Sequence, residues 1–159
     1  MDREKRIFLS ACLTGVNCTY NGKNKLHPVF FQMQAKGEAV SACPEVLGGL
    51  EIPHSPSEIV GGDGRDVLEG DARVVSFEGK DVTDFFLKGA ERVLNLVRLQ
   101  GIKKAVLKSK SPSCGCGQVY DGSFSDSLMP GDGVTAALLK MNGIEVVSDV
   151  EYLKNQGAG

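Results

Sequence analysis

The chain has 159 residues, 42% of them hydrophobic and 24% charged, a length at which a folded chain buries roughly two-thirds of its unfolded surface. One domain over residues 1–159, with its core over about 6–149, is therefore expected, and a formal charge of −2 is too balanced for a generic phosphate-backbone binder or an acidic disordered tail. Five cysteines, an odd number far below the roughly 8–10% of a disulfide scaffold, exclude a fully paired secreted framework.

The first residues offer a decoy. Met1 to Arg6 is charged and Leu9-Ser10-Ala11-Cys12 resembles a lipoprotein cleavage site, but only Ile7, Phe8 and Leu9 stand between Arg6 and Ser10. A signal peptide needs an apolar run of about 7–15 residues there. No run approaches the roughly 18–20 residues that span a bilayer, so the expectation is a cytoplasmic protein with no membrane partner. Thiols in that compartment are ligands, catalysts or small core residues.

Residues 7–11 form a short apolar run led by charge, the pattern of a buried first strand, with Cys12 just past its carboxyl end. His27-Pro28 opens a helix over residues 29–36, whose Val29, Phe30 and Met33 share one face, and Gly37 closes it. A second strand over residues 38–42 ends at Cys43-Pro44-Glu45, because Pro44 has no N–H for a sheet ladder. Residues 47–64, with five glycines and two prolines and no period, read as a long ordered loop. Residues 67–77 read as a small extra strand pair or an extended arm. Thr83 or Asp81 then caps a helix whose stripe of Phe86, Ala90, Val93, Leu94 and Val97 runs up to Gly101.

Residues 102–107 give a third strand, residues 109–117 a loop, and residues 120–133 an irregular stretch. Asp132 is the expected cap of a helix through Val134, Ala137, Leu138 and Met141. A last strand covers residues 144–147, Ser148 or Asp149 caps a terminal helix, and residues 156–159 fray. Strands alternating with helices predict an α/β, Rossmann-like open sheet, mostly parallel, with helices on both faces and long loops at the strand carboxyl ends. Ligands in such sheets sit beyond those ends. Cys12, Cys43 and Cys114 all occupy that position, after three different strands.

Thiolates gathered on one rim repel one another unless a cation neutralises them, so the trio points to a metal centre. Zinc usually takes four closely spaced ligands, often with a Cys-x2-4-Cys pair, whereas this chain offers only Cys114-x-Cys116 and Cys12-x5-Cys18. An iron–sulfur cluster tolerates wide spacing, and three cysteines on a four-iron cube leave one iron open. Burial as small core residues is the competing reading, and it is the one assigned to Cys18 and Cys116. Glu45, two residues after Cys43, is either a proton acceptor or donor for the site or a solvated loop carboxylate. Ser109, Ser111 and Ser113 suit a loop that holds a polar ligand, although turn chemistry also explains them. His27 and His54 lack partners at metal-ligand spacing, which assigns them structural or surface roles. Gly61-Gly62-Asp63-Gly64 is no phosphate loop, since no Gly-Lys-Ser/Thr follows it.

Six segments then occur in order: Ser10-Ala11-Cys12-Leu13-Thr14-Gly15, Cys43-Pro44-Glu45-Val46-Leu47-Gly48-Gly49-Leu50, Ile59-Val60-Gly61-Gly62-Asp63-Gly64, Lys108-Ser109-Lys110-Ser111-Pro112-Ser113-Cys114-Gly115, Tyr120-Asp121-Gly122 and Gly131-Asp132-Gly133-Val134-Thr135-Ala136-Ala137-Leu138-Leu139. Together, from about residue 6 to 149, they resemble the bacterial and archaeal family first catalogued as domain of unknown function 523, which includes thiouracil desulfurases. The resemblance implies a 4Fe-4S cluster held by Cys12, Cys43 and Cys114 with its fourth iron open. It implies an enzyme that replaces the thione sulfur of a thiolated pyrimidine by the oxygen of water. Glu45 would activate the water, Ser111 or Ser109 would position or protonate the base, and Ser113 and Gly115 would bind the substrate. Many members carry Arg-Tyr-Asp-Gly where this chain has Thr19-Tyr20-Asn21-Gly22, and Pro-Arg where it has Pro53-His54. The near-neutral charge fits a small thiolated nucleobase better than a whole tRNA, though relatives with an added domain act on thiolated tRNA. The reading from a different class is a non-catalytic module that binds zinc or a nucleotide.

Overall fold

The computed structural model of the chain describes residues 5–157. In chain order the elements are β1 (Ile7–Ser10), α1 (Pro28–Ala35), β2 (Ala39–Ala42), the single turn α2 (Pro44–Leu47), β3 (Ser57–Val60), α3 (Gly64–Glu69), β4 (Arg73–Ser76), α4 (Thr83–Leu99), β5 (Lys104–Leu107), β6 (Gln118–Tyr120), β7 (Leu128–Pro130), α5 (Val134–Met141), β8 (Glu145–Ser148) and α6 (Asp149–Gly157). A 3-10 turn, Ala11–Thr14, follows β1. No helix among the described residues is long and apolar enough to cross a membrane.

The main sheet is parallel, in the order β2-β1-β5-β8. Successive side chains of a strand point to opposite faces, and here both faces are apolar. Phe8, Ala105, Leu107 and Val146 pack on one side with Val93 and Val97 of α4 and Ala136 and Leu139 of α5. Ile7, Leu9 and Val106 pack on the other with Phe30 of α1 and Tyr152 and Leu153 of α6. The sheet is thus an α/β layer covered on both faces, as expected from the alternation of elements.

Three stretches differ from the expectation. Residues 47–64 are not one loop, because Ser57–Val60 forms β3, antiparallel to β4, with Ile59 and Val74 buried. Residues 67–77 are not a strand pair, since Val67 and Leu68 belong to α3 and only Arg73–Ser76 is extended. Asp63 starts α3 by a capping box in which its carboxylate accepts from the Asp66 N–H while the Asp66 carboxylate accepts from the Asp63 N–H. The irregular stretch 120–133 contains β7, which pairs with β6. Caps also moved. The N-cap of α5 is Gly133, and Asp132 instead accepts from the Gly117 N–H and from Lys140. Val82 is the N-cap of α4, Asp81 accepts from the Thr83 N–H, and Thr83 Oγ accepts from the Val74 N–H. Ser148 caps α6 through the Glu151 N–H, as expected. Of the tail expected to fray, residues 156 and 157 are the end of α6, and 158 and 159 lie outside the described residues, as do the first four residues of the charged N-terminal segment.

The α3–β3–β4 excursion packs on the flank of α4 and α5 through Ile59, Val67, Val74, Phe86, Ala90 and Val134. It brings β3 beside the carboxyl rim of the sheet. On that rim, α2 crosses α4 at two glycines. A Cβ on Gly89 would overlap the Pro44 carbonyl oxygen, and one on Gly48 would overlap the Phe85 carbonyl oxygen, so the two backbones touch directly. Because α2 directly follows Cys43 and carries Glu45, this contact fixes the position of both. Gly89→Ala is expected to destabilise the protein by about 1–3 kcal/mol through overpacking and to lower iron loading. Urea unfolding and iron analysis measure the two effects, and parental stability with parental iron content would refute the fixed contact.

Candidate active site

Strand pairing brings the three expected cysteines together. Cys12 lies in the 3-10 turn after β1, Cys43 is the N-cap of α2 after β2, and Cys114 lies in the loop after β5. Those strands are neighbours, with β1 in the centre. The loop after β5 is held at three points. The Lys108 N–H donates to Ser10 Oγ, the Ser109 N–H donates to Asp149, and the first N–H groups of α5, from Val134 and Thr135, donate to the carbonyls of Pro112 and Ser113. The last pair uses donors that a helix N-terminus leaves unsatisfied. The three cysteines, Glu45, Ser109, Ser111, Ser113 and His54 all line one cavity of about 630 Å³ at this rim.

Around Glu45 the hydrogen-bond directions can be assigned. A carboxylate only accepts, so Ser113 Oγ donates to Glu45 Oε2 at 3.0 Å. Having used its one hydrogen, Ser113 Oγ must accept in its 2.9 Å contact with Ser111 Oγ. Ser111 Oγ also accepts the N–H groups of Ser113 and Cys114. The result is an oriented chain, Ser111 to Ser113 to Glu45, beside Cys114. On the other side of the carboxylate, His54 Nε2 lies 3.1 Å from Glu45 Oε1, both side chains being about 15% exposed or less, without an aligned hydrogen bond. The contact is therefore one of charge. His54 Nδ1 lies 2.7 Å from the Ser55 carbonyl oxygen, an acceptor, so Nδ1 carries a hydrogen.

The family described as 2-thiouracil desulfurase matches residues 7–151. The chain belongs to the 2-thiouracil desulfurase family. Among relatives, the uncharacterized protein YbbK of Bacillus subtilis (strain 168) is 43% identical over 145 residues, covering 91% of this chain and 96% of that protein. Among solved structures, a 4Fe-4S-dependent thiouracil desulfidase, TudS, superposes with a TM-score of 0.83 at 39% identity, covering 98% of this chain and 97% of that one. These likenesses extend over the whole sheet, the α3–β3–β4 excursion and the cysteine-lined rim.

TudS is 4Fe-4S-dependent, and the thiols gathered on this rim fit an iron–sulfur group. Burial pushes the Cys114 thiol up to about 12, and contact with Cys12 together with burial pushes Cys18 up to about 12. Contact with Cys18 and burial raise Cys43 as well. Thiols so disfavoured as anions become thiolates when a cation takes the place of their protons. The spacing argues against a single zinc ion. Four sulfurs at about 2.3 Å from zinc lie roughly 3.8 Å from one another. Among the described residues, only Asp66, Glu69 and Asp71 place three ligand atoms within 4.8 Å of each other, so no three cysteines do. A cluster of several irons spans wider sulfurs.

Some residues fall where the sequence reading did not place them. His54, assigned a structural or surface role, is in the site against Glu45. Cys18, assigned to the bystanders, contacts Cys12 and Cys43 and lines the cavity. No local spacing signals either one. The substitution of His54 for the family's arginine was the one hint. Cys116 points away, toward the Val146 carbonyl. Ser109 lines the cavity with its hydroxyl against Lys108 Nζ. Gly115, expected to touch the substrate, is not in the cavity wall. It closes the turn behind the loop, where a Cβ would lie 2.7 Å from the Ser111 carbonyl oxygen and 2.8 Å from that of Gln118. His27 caps α1 by accepting from the Val29 N–H.

The Glu45 carboxylate, chiefly, raises the His54 imidazole above its ordinary value of 6.5, against the opposing effect of burial. A raised folded-state value means that the contribution of His54 to stability is complete below about 6.5 and is lost as pH rises through the raised value. NMR titration should place the His54 midpoint above 6.5, and Glu45→Gln should bring it down. An unchanged midpoint in that variant would assign the shift to something other than Glu45.

Proposed function

We propose that the chain hydrolyses the C–S bond of a free thiolated pyrimidine such as 2-thiouracil, releasing the oxo base and sulfide, at an iron–sulfur cluster held by Cys12, Cys43 and Cys114. The observation that carries this reading is the convergence of three thiols from the ends of β1, β2 and β5 on a cavity that also holds the Glu45–Ser113–Ser111 chain. Family membership and the likeness to TudS support it. Cys12, Cys43 and Cys114 would hold such a cluster, which when bound would supply a Lewis acid for the thione and an acceptor for sulfide.

The chain's own residues do the rest. Glu45, fixed by Ser113 on one oxygen and facing His54 with the other, is placed to take a proton from water that attacks the thione carbon. His54, whose imidazole is raised by Glu45, faces the other oxygen and helps to hold the carboxylate in place. Ser111 orients Ser113, and Ser109 presents its hydroxyl to the substrate's polar edge. Water adds, sulfide leaves, and the carbonyl forms with no net electron transfer. The formal charge of −2 supports a small base over a tRNA, and five unpaired cysteines support a reducing cytoplasm as its compartment.

Anaerobically prepared, cluster-loaded protein should convert 2-thiouracil to uracil with one sulfide released per turnover. Absence of sulfide from such protein, with iron and 2-thiouracil both present, would overturn the reading. Glu45→Gln should lower kcat by about 10²–10⁴-fold, the usual range for loss of a general base, with iron content unchanged. Separately, Cys12→Ala, Cys43→Ala and Cys114→Ala should each lose most iron and acid-labile sulfide, whereas Cys116→Ala keeps both. Equal iron in all four variants would refute the ligand assignment.

A further inference from the structure

The cavity has a second wall that the desulfuration chemistry leaves unused. Glu58 of β3 lines it, and the residue is nine-tenths buried, with 9% of its surface exposed. One carboxylate oxygen, Oε1, accepts the N–H groups of Gly122 and Phe124 at 2.9 and 3.1 Å. The other, Oε2, accepts no hydrogen bond from a described residue, and the group forms no ion pair. A carboxylate this far from bulk water is costly unless its lone pairs are met. Half of this one is met by protein, and the other half belongs to a cavity.

The strap that Oε1 anchors is itself unusual. Phe124, which it holds, has φ 56° and Asp126, two residues on, φ 59°, left-handed backbone that a side chain adopts at a cost. The effect is to hold the Phe124 ring at the cavity, edge-on to Phe77 at 5.8 Å, although Phe77 is 67% exposed and gains little burial from the pairing. A buried acceptor and an aromatic platform at one cavity wall are the two elements that recognise a planar heterocycle bearing ring N–H groups.

We propose that Glu58 is the specificity-determining residue of the site, accepting through Oε2 a ring N–H of the pyrimidine whose face lies against Phe124. This rests on the reading of the cavity as a thiopyrimidine desulfurase site and names which edge of the base is read. The thione and carbonyl of 2-thiouracil are acceptors, which a carboxylate repels, so only its N1–H and N3–H suit Glu58. Substrates that lack the contacted N–H leave this cavity-facing oxygen without the donor it is placed to meet, and a site built to hydrogen-bond a group discriminates against analogues without it.

Uracil carries the same N–H groups without the reacting sulfur, so its binding isolates recognition from chemistry. Equilibrium dialysis against cluster-loaded protein would compare uracil, 1-methyluracil and 3-methyluracil. The parent should bind one of the methylated bases about ten- to a hundredfold more weakly than uracil, the range for a hydrogen bond to a charged group. Glu58→Gln keeps an oxygen for Gly122 and Phe124 but turns Oε2 into a donor, so the strap stays anchored and only the free acceptor is lost. This variant, with a parental melting profile, should bind uracil more weakly by a similar factor and lose the discrimination against the methylated base. If the parent binds all three bases alike, or binds none, the proposal fails without reference to any variant. If Glu58→Gln keeps parental affinity and discrimination, Glu58 only anchors the strap and the proposal also fails. Sulfide release from 2-thiouracil by the same parent preparation separates these failures from failure of the desulfurase reading.

Discussion

The parallel register of β2, β1 and β5 is the constraint on which the rest of the site depends. Ser10 lies opposite Ala42, and Leu9 opposite Val106, so the three strands stop at nearly the same level. Neighbouring strands are about 4.8 Å apart. Chain leaving each carboxyl end therefore arrives within a few ångströms of its neighbours, whatever its sequence. Cys12 and Cys43 need only follow at once. Cys114 is seven residues past the end of β5 and reaches the rim because its loop folds back, tied to Ser10, to Asp149 after β8, and to the N-terminus of α5. A slip of one residue in β1 would exchange Phe8 and Leu9 between two filled cores. The hydrophobic layers on both faces thus set the position of the thiols more firmly than any contact between the thiols does.

Electrostatics on that rim is arranged around a conflict. Cys43 and Glu45 are two residues apart at the start of a one-turn helix. Contact with Cys18 and burial raise the Cys43 thiol, and the nearby Glu45 adds to them. The structure answers with polar groups aimed at Glu45 from both sides, Ser113 on one oxygen and His54 at the other. Rigidity comes from backbone contact, with α2 against α4 at Gly48 and Gly89. The carboxylate is held by elements of the scaffold, and only its hydrogen-bond partners come from loops.

The strands of the main sheet, α1, α4 and α5 were legible in the sequence because each carries its period or apolar run, and the cysteine trio was legible because it follows from strand ends. The excursion between β2 and α4 was not. Ser57-Glu58-Ile59-Val60 reads as neither alternating nor apolar, since Ser57 and Glu58 are both buried for reasons that lie elsewhere in the chain. The glycine-rich run before α3 hid a helix start whose signal is the reciprocal pair of Asp63 and Asp66 rather than a hydrophobic stripe. β7 is three residues ending in proline, and only its partner β6 makes it a strand. His54 and Cys18 were missed because proximity to Glu45 and Cys43 is tertiary. Gly115 was misplaced because a motif marks adjacency in sequence, whereas the turn behind the loop needs a residue without a side chain.

The two departures from the family pattern meet in space. His54 donates its backbone N–H to the Tyr20 carbonyl, so positions 19–21 and 54 form one piece of the cavity wall. An arginine and aspartate at 19 and 21, the pattern that the resemblance gives for many members, would carry opposite charges two residues apart. Here Thr19 Oγ donates to Asn21 Oδ1 at 2.6 Å, a neutral contact in the same place. At position 54 the exchange is of a different kind. Arginine is charged at any pH a cell maintains, whereas histidine carries its charge only while protonated. His54 faces Glu45, so the positive charge it places beside that carboxylate depends on pH, as an arginine's in the same place would not.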